Sequence, residues 1–146
     1  MRYQEIINES ENNFLSVSDA KAVSSRLVLA AQGEYDLWDA EDTDTYGRGG
    51  ICHLIANAMM DVLQSAGIAA CPVESETEPH TYVVFQVKEG VFSLDIPWQR
   101  YETQGDNDVW SKLPNITFNS SSLKWSQVSR DPDDFDQYLE GDEYYD

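Results

Sequence analysis

Few side chains in this sequence can act as nucleophile and base, which narrows the chemistry quickly. There are two cysteines, Cys52 and Cys71, and two histidines, His53 and His80. Cys52 follows Gly49-Gly50-Ile51 and opens a stretch of helical periodicity. The unpaired N–H groups of a first helical turn, with the positive end of the helix dipole, stabilise a thiolate. A thiol so placed reacts at neutral pH, and the same N–H groups can hold an oxyanion. Glycines before it let a substrate backbone approach. Cys71 precedes Pro72 in an apolar stretch and reads as a packed thiol.

His80 enters a strand-like run, and Asp95 lies within the apolar run Val91-Phe92-Ser93-Leu94-Asp95-Ile96. A carboxylate in such a run needs a partner, because an unpaired buried charge is costly. An imidazole is a natural one: the carboxylate fixes the tautomer and leaves the second ring nitrogen to act as base. Thr81 to Val87 and Val91 to Ile96 read as a hairpin turning through Lys88-Glu89-Gly90, with Pro97 as its stop. If Glu89-Gly90 is the two-residue turn, Lys88 faces Val91 and Asp95 faces Val84. Asp95 is then four residues, or roughly 13 Å, from His80 along the ladder. Contact between them would require a bulge, a longer loop or a bend at the sheet end.

The elements that must position these residues can be read in outline. Ser18-Asp19 is a candidate cap for a helix from Ala20 to Trp38, with Val23, Leu27, Ala30, Ala31, Tyr35 and Trp38 on one face. Residues 39–50 are acidic and then glycine-rich, hence a loop. Cys52 to Ala66 is the clearest helix, with Leu54, Ile55, Ala58, Met59, Val62, Leu63 and Ala66 as its apolar stripe and Gly67 at C′. Ile68 to Val73 reads as a short, edge-type strand. Residues 1–16 have the anchors of a short helix or strand at the domain edge. Strand-like pieces recur around Ile116-Thr117-Phe118 and from Leu123 to Val128. Phe135, Tyr138 and Leu139 are at helical spacing in an acidic terminal segment.

The segments Gly50-Ile51-Cys52-His53-Leu54-Ile55-Ala56, Leu63 and Gly67-Ile68-Ala69-Ala70 together resemble the core of transglutaminase-like proteins, in which the nucleophile opens a helix ending in a Gly-Ile step. His80-Thr81-Tyr82-Val83 looks like that family's His strand, and Gly90 to Pro97 like its Asp strand. The likeness covers residues 47–98. It implies an α+β, papain-like/transglutaminase-like core, with helices packed on a small antiparallel sheet. It also implies acyl chemistry on amides or thioesters through Cys52, His80 and Asp95. The papain branch carries a Gln six residues before the nucleophile. Here that position is Tyr46, which stands with Gly50 as the candidate on the oxyanion and substrate side. The aromatic that often follows the nucleophile is His53 here. Trp98 is placed to shield the His80–Asp95 pair from water, or simply to pack.

Composition bounds the alternatives. The 146 residues, 41% hydrophobic, suffice for one domain with a real core, read as residues 1–140 followed by an acidic tail, 141–146. The net charge of −18, from 27 acidic and 9 basic residues, argues against direct nucleic-acid binding and against anionic membranes and favours basic partners. Neither a signal peptide nor a membrane span is expected. The two cysteines are nineteen apart, outside CxxC spacing, so both are expected as thiols in a reducing, cytoplasmic setting. Sequons at Asn115 and Asn119 are then chance matches. No cofactor or metal is expected. A zinc site from Cys52, His53, Cys71 and His80 lacks recognised spacing. The run Asp42 to Gly47 has Tyr46 and His53 where a calcium loop needs ligands.

Two functions stay open. One is a thiol hydrolase or acyltransferase (peptidase, deamidase or transglutaminase-like) acting on a protein or peptide. The other is an acidic binding or inhibitor protein for a basic partner, imitating nucleic acid on an inactive papain-like scaffold, in keeping with a resemblance to small acidic phage or mobile-element proteins. The oligomeric state stays open under both.

Overall fold

The computed structural model describes residues 14–37, 52–75, 80–96, 99–104, 107–112 and 117–139. The expectations for residues 39–50 and for the tail 141–146, and the candidate residues Tyr46, Gly50 and Trp98, lie outside these. The architecture is mixed α+β, with the two longest helices packed on one face of a small open antiparallel sheet.

Two helices stand where the periodicity predicts one: α1, Val17–Lys21, and α2, Ser24–Leu37. The cap is Ser16, not Ser18. Ser16 Oγ accepts from the Asp19 N–H at 3.1 Å, and the Asp19 carboxylate accepts from the Ser16 N–H at 2.9 Å, a reciprocal capping box. That backbone hydrogen bond holds the Asp19 carboxyl below its ordinary range. The break between the helices has a local cause. Ser24 Oγ donates to the Lys21 carbonyl at 2.6 Å, and the Val23 N–H turns to the carbonyl three residues back. Serine side chains compete with helical hydrogen bonds in this way. Leu27, Ala31 and Tyr35 of α2 are buried at a spacing of four.

Helix α3, Cys52–Ser65, buries Cys52, Ile55, Ala56, Met59 and Leu63; Leu54, expected in the stripe, is exposed. It closes at Gly67, whose φ of +91° is the left-handed conformation that glycine adopts cheaply. The Ile68 N–H donates to the Leu63 carbonyl and the Gly67 N–H to the Gln64 carbonyl, the paired closure of a Schellman motif. Because Ile68 is used there, strand β1 begins later than expected, at Ala70, and runs to Glu74. Gln64 Nε2 then ties α3 to the Ala70 carbonyl at 3.1 Å.

Strands β2, Thr81–Val87, and β3, Gly90–Asp95, form the expected hairpin in a different register. Val87 pairs with Gly90 and Val83 with Leu94, so Lys88-Glu89 is the turn, not Glu89-Gly90. Both turn residues are occupied by the N-terminal segment: the Lys88 N–H donates to the Leu15 carbonyl, and Glu89 accepts from the Val17 N–H at 2.9 Å. Gly90 serves tertiary approach instead. At its φ of +138° a Cβ would stand 2.0 Å from the Ser129 carbonyl oxygen. Moving the turn by one residue moves the ladder by two. One step beyond Val83↔Leu94, Asp95 lies opposite Tyr82, two residues from His80 rather than four. That diagonal separation is ~7 Å, within reach of long side chains.

Two further strands, β4, Gln99–Gln104, and β5, Asn107–Lys112, pair as a separate two-stranded sheet. Sequence periodicity does not reveal them, although Gly105-Asp106 is a recognised hairpin signal. Strand β6, Lys124–Ser129, completes the main sheet in the order β1-β2-β3-β6. It pairs Lys124 with Asp95 and is irregular at Val91/Phe92. The strand expected near Phe118 is absent over 117–119. Phe118 instead packs edge-on to Tyr35, and its N–H donates to Gln32 Oε1 at 2.7 Å.

The alternation of β2 divides the core. Val83, Phe85 and Val87, with Ala70, Leu94 and Ile96, pack with the helix residues Leu27, Ala31, Ile55, Met59 and Leu63. Cys71, Val84 and Val91 form a second cluster on the opposite face with Phe135. Phe135 ends a 3-10 turn, Pro132–Phe135, that leads into helical residues 136–139. Among the described residues, no helix is long and apolar enough to cross a membrane.

Candidate functional site

Three elements meet at one end of the sheet: the first residue of α3, the entry to β2 and the last residue of β3. Cys52 opens α3 and is 5% exposed. The first-turn N–H groups of this fourteen-residue helix have no partner within it and present their partial positive charge near the sulfur. His80 stands one residue before β2, and its carbonyl accepts from the Ser75 N–H at 2.7 Å, which pins its backbone to the end of β1. Asp95 ends β3, where it pairs with Lys124 of β6.

The His80 ring joins the other two side chains. Its Nε2 lies 2.8 Å from both carboxylate oxygens of Asp95. A carboxylate only accepts, so Nε2 carries the proton of that bond. The side chains are 12% and 29% exposed respectively, so the pair is sheltered and the carboxylate retains some water. Asp95 engages Nε2, which leaves Nδ1, a buried atom, as the nitrogen to serve the sulfur. Burial works against charging the ring. The hydrogen bond to Asp95, a second to Cys52 and the negative charges of both outweigh it, and the proton affinity of His80 rises from 6.5 to about 10. At neutral pH the ring is therefore an imidazolium clasped between carboxylate and sulfur.

The structure thus brings together Cys52, His80 and Asp95. It also supplies a contact that sequence reading missed. The Thr81 backbone N–H donates to Cys52 Sγ at 3.3 Å. A main-chain donor leaves no mark in residue type, and its only sequence trace is its place directly after the histidine. His53 is exposed, as a neighbour about 100° around a helix from a buried residue should be. Cys71 belongs to the cluster on the opposite face of the sheet. Among the described residues no three His, Cys, Asp or Glu side chains are grouped so as to hold a metal ion.

A buried sulfur with a helix N-terminus, a backbone N–H and a carboxylate-backed imidazolium around it can exist as a thiolate and can pass a proton through Nδ1. Comparison with family models, curated proteins and solved structures finds no match to this chain.

Proposed function

We propose that this chain is a thiol hydrolase or acyltransferase acting on amide bonds, with Cys52 as nucleophile, His80 as acid and base, and Asp95 as the group that orients His80. The observation that carries the reading is the clasp of His80 between Asp95, at 2.8 Å to both oxygens, and Cys52 at the head of α3. The likeness of residues 47–98 to transglutaminase-like sequences supports the same roles.

The proposed chemistry balances within these groups. The Cys52 thiolate adds to the carbonyl carbon of the amide, and the oxyanion faces the first-turn N–H groups of α3. The C–N bond then breaks as the imidazolium gives its Nδ1 proton to the departing amine, leaving a thioester. Acylation removes the negative charge on sulfur, and with it two of the influences that raise the proton affinity of His80. The ring is then better suited to take a proton from water or from an acceptor amine. Attack by that nucleophile breaks the C–S bond and restores the thiolate.

A small haloacetamide tests the reading at neutral pH. Cys52 and Cys71 are both 5% exposed, so a difference in rate reports reactivity rather than access. Cys52 is expected to label far faster, and His80→Ala should remove the advantage. Equal, slow labelling of both thiols would overturn the proposal and leave the acidic-binder alternative.

A further inference from the structure

The strand register explains why the Thr81 N–H is aimed at sulfur. The Ser75 N–H donates to the His80 carbonyl, and the Gln86 N–H to the Ala69 carbonyl. The even-numbered residues of β2 are therefore the ones that exchange hydrogen bonds with β1. Thr81, paired with Glu74, turns its N–H the other way, toward the side of β3. There the ladder begins only at Val83↔Leu94, so β3 offers Thr81 no acceptor. A backbone donor in a part-buried position needs one, and Cys52 Sγ stands at 3.3 Å. Sulfur takes the place that a carbonyl of the next strand would hold.

Building on the thiol chemistry proposed above, we infer that the Thr81 backbone N–H is a second catalytic donor to the Cys52 thiolate. It is held in place by the sheet and acts independently of His80. Consecutive residues at the entry to β2 then serve the same atom: His80 through a ring that must give up its proton, Thr81 through an N–H that cannot. The second donor favours the anionic sulfur before acylation and again as the C–S bond breaks.

The signature is specific. Removing a charge-assisted hydrogen bond should raise the pH midpoint of Cys52 reactivity by about one unit. A more basic thiolate is also a better nucleophile, with a Brønsted slope of about 0.4–0.5 for thiol–disulfide exchange. The plateau rate above the midpoint should therefore rise about threefold while the rate well below the midpoint falls about threefold. Loss of packing alone does not move the two rates in opposite directions.

The test replaces the Thr81 amide by an ester, using the α-hydroxy analogue of threonine in the full chain, and follows Cys52 with a small uncharged disulfide across pH. Proline is the wrong probe, because its ring carbon would stand in the gap the hydrogen bond now spans. An ester variant that titrates like wild type, with Cys52 still faster than Cys71, overturns the role of Thr81 and leaves the thiol chemistry standing. Wild-type Cys52 no faster than Cys71 overturns both. Should the ester variant not fold, the amide proton of Thr81 in the wild-type chain gives the answer by NMR. It should follow the ionisation of Cys52, more than the Val83 amide does, and stop doing so in Cys52→Ser. An unmoved Thr81 resonance overturns the inference.

Discussion

The two cysteines are buried to the same degree, and neither is in a disulfide, yet they occupy different settings. Cys52 stands where a helix starts, with the His80 ring and the Thr81 N–H directed at it. Cys71 lies within β1 opposite Val84, in a cluster with Val91 and Phe135. On the proposed function exposure would not separate a reactive thiol from an inert one here; the donors and charges around the sulfur would. Apolar surroundings favour the neutral thiol, whereas a helix N-terminus and a cation favour the thiolate. Each variant below erases or sharpens that contrast.

The largest effect is expected from His80→Ala, which takes away the only imidazolium at the site. Labelling of Cys52 at neutral pH should fall on the order of a hundredfold, toward the rate of Cys71. Site-resolved mass spectrometry of the alkylated chain measures both thiols in one sample. Asp95→Asn should act through the same ring and cost less, about tenfold. The amide can still meet Nε2, but it brings no charge to hold the ring's proton, so the pH profile should narrow from its alkaline side.

The pH dependence of stability is a third contrast, smaller at any one pH because it is spread over a range. The folded-state proton affinity of His80 is raised, from 6.5 to about 10. The folded chain therefore holds more protons than the unfolded chain between those values, and stability falls as pH rises through them. The contribution is fully present below 6.5 and lost as pH passes about 10. Denaturant titrations of wild type and His80→Gln should accordingly converge on the alkaline side. Curves that stay parallel would show that His80 keeps its ordinary titration.

How much of this was legible depended on whether the cause was local. The His80–Asp95 pair could be read because a carboxylate in an apolar run needs a partner and the chain has few imidazoles. Its geometry could not, because the turn was set by distant contacts. Leu15 and Val17 engage Lys88 and Glu89, and Gly90 is spent on the approach of Ser129. A one-residue error in the turn then doubled the apparent distance from His80 to Asp95. The break between α1 and α2 is an exception, missed although its cause, one serine hydroxyl, is local. The position of Phe135 over the sheet was legible only as helical spacing, since nothing local names the face it covers.

The smallest effects come from shortening each thiol to a methyl group, and here the shape of the response matters more than its size. Cys71→Ala removes one buried sulfur from an apolar cluster and should cost about 1 kcal/mol, with labelling of Cys52 unchanged. That loss should vary little across neutral pH, because the sulfur is taken from among Val84, Val91 and Phe135. Cys52→Ala removes a hydrogen-bond partner and a negative charge from His80, two of the influences that raise its proton affinity. The ring should then lose its proton at lower pH than in wild type, so the stability difference from wild type should vary with pH. Unfolding midpoints measured for both variants over the same pH series check this. A flat difference for Cys52→Ala, matching that of Cys71→Ala, would mean that the two sulfurs are electrostatically alike after all.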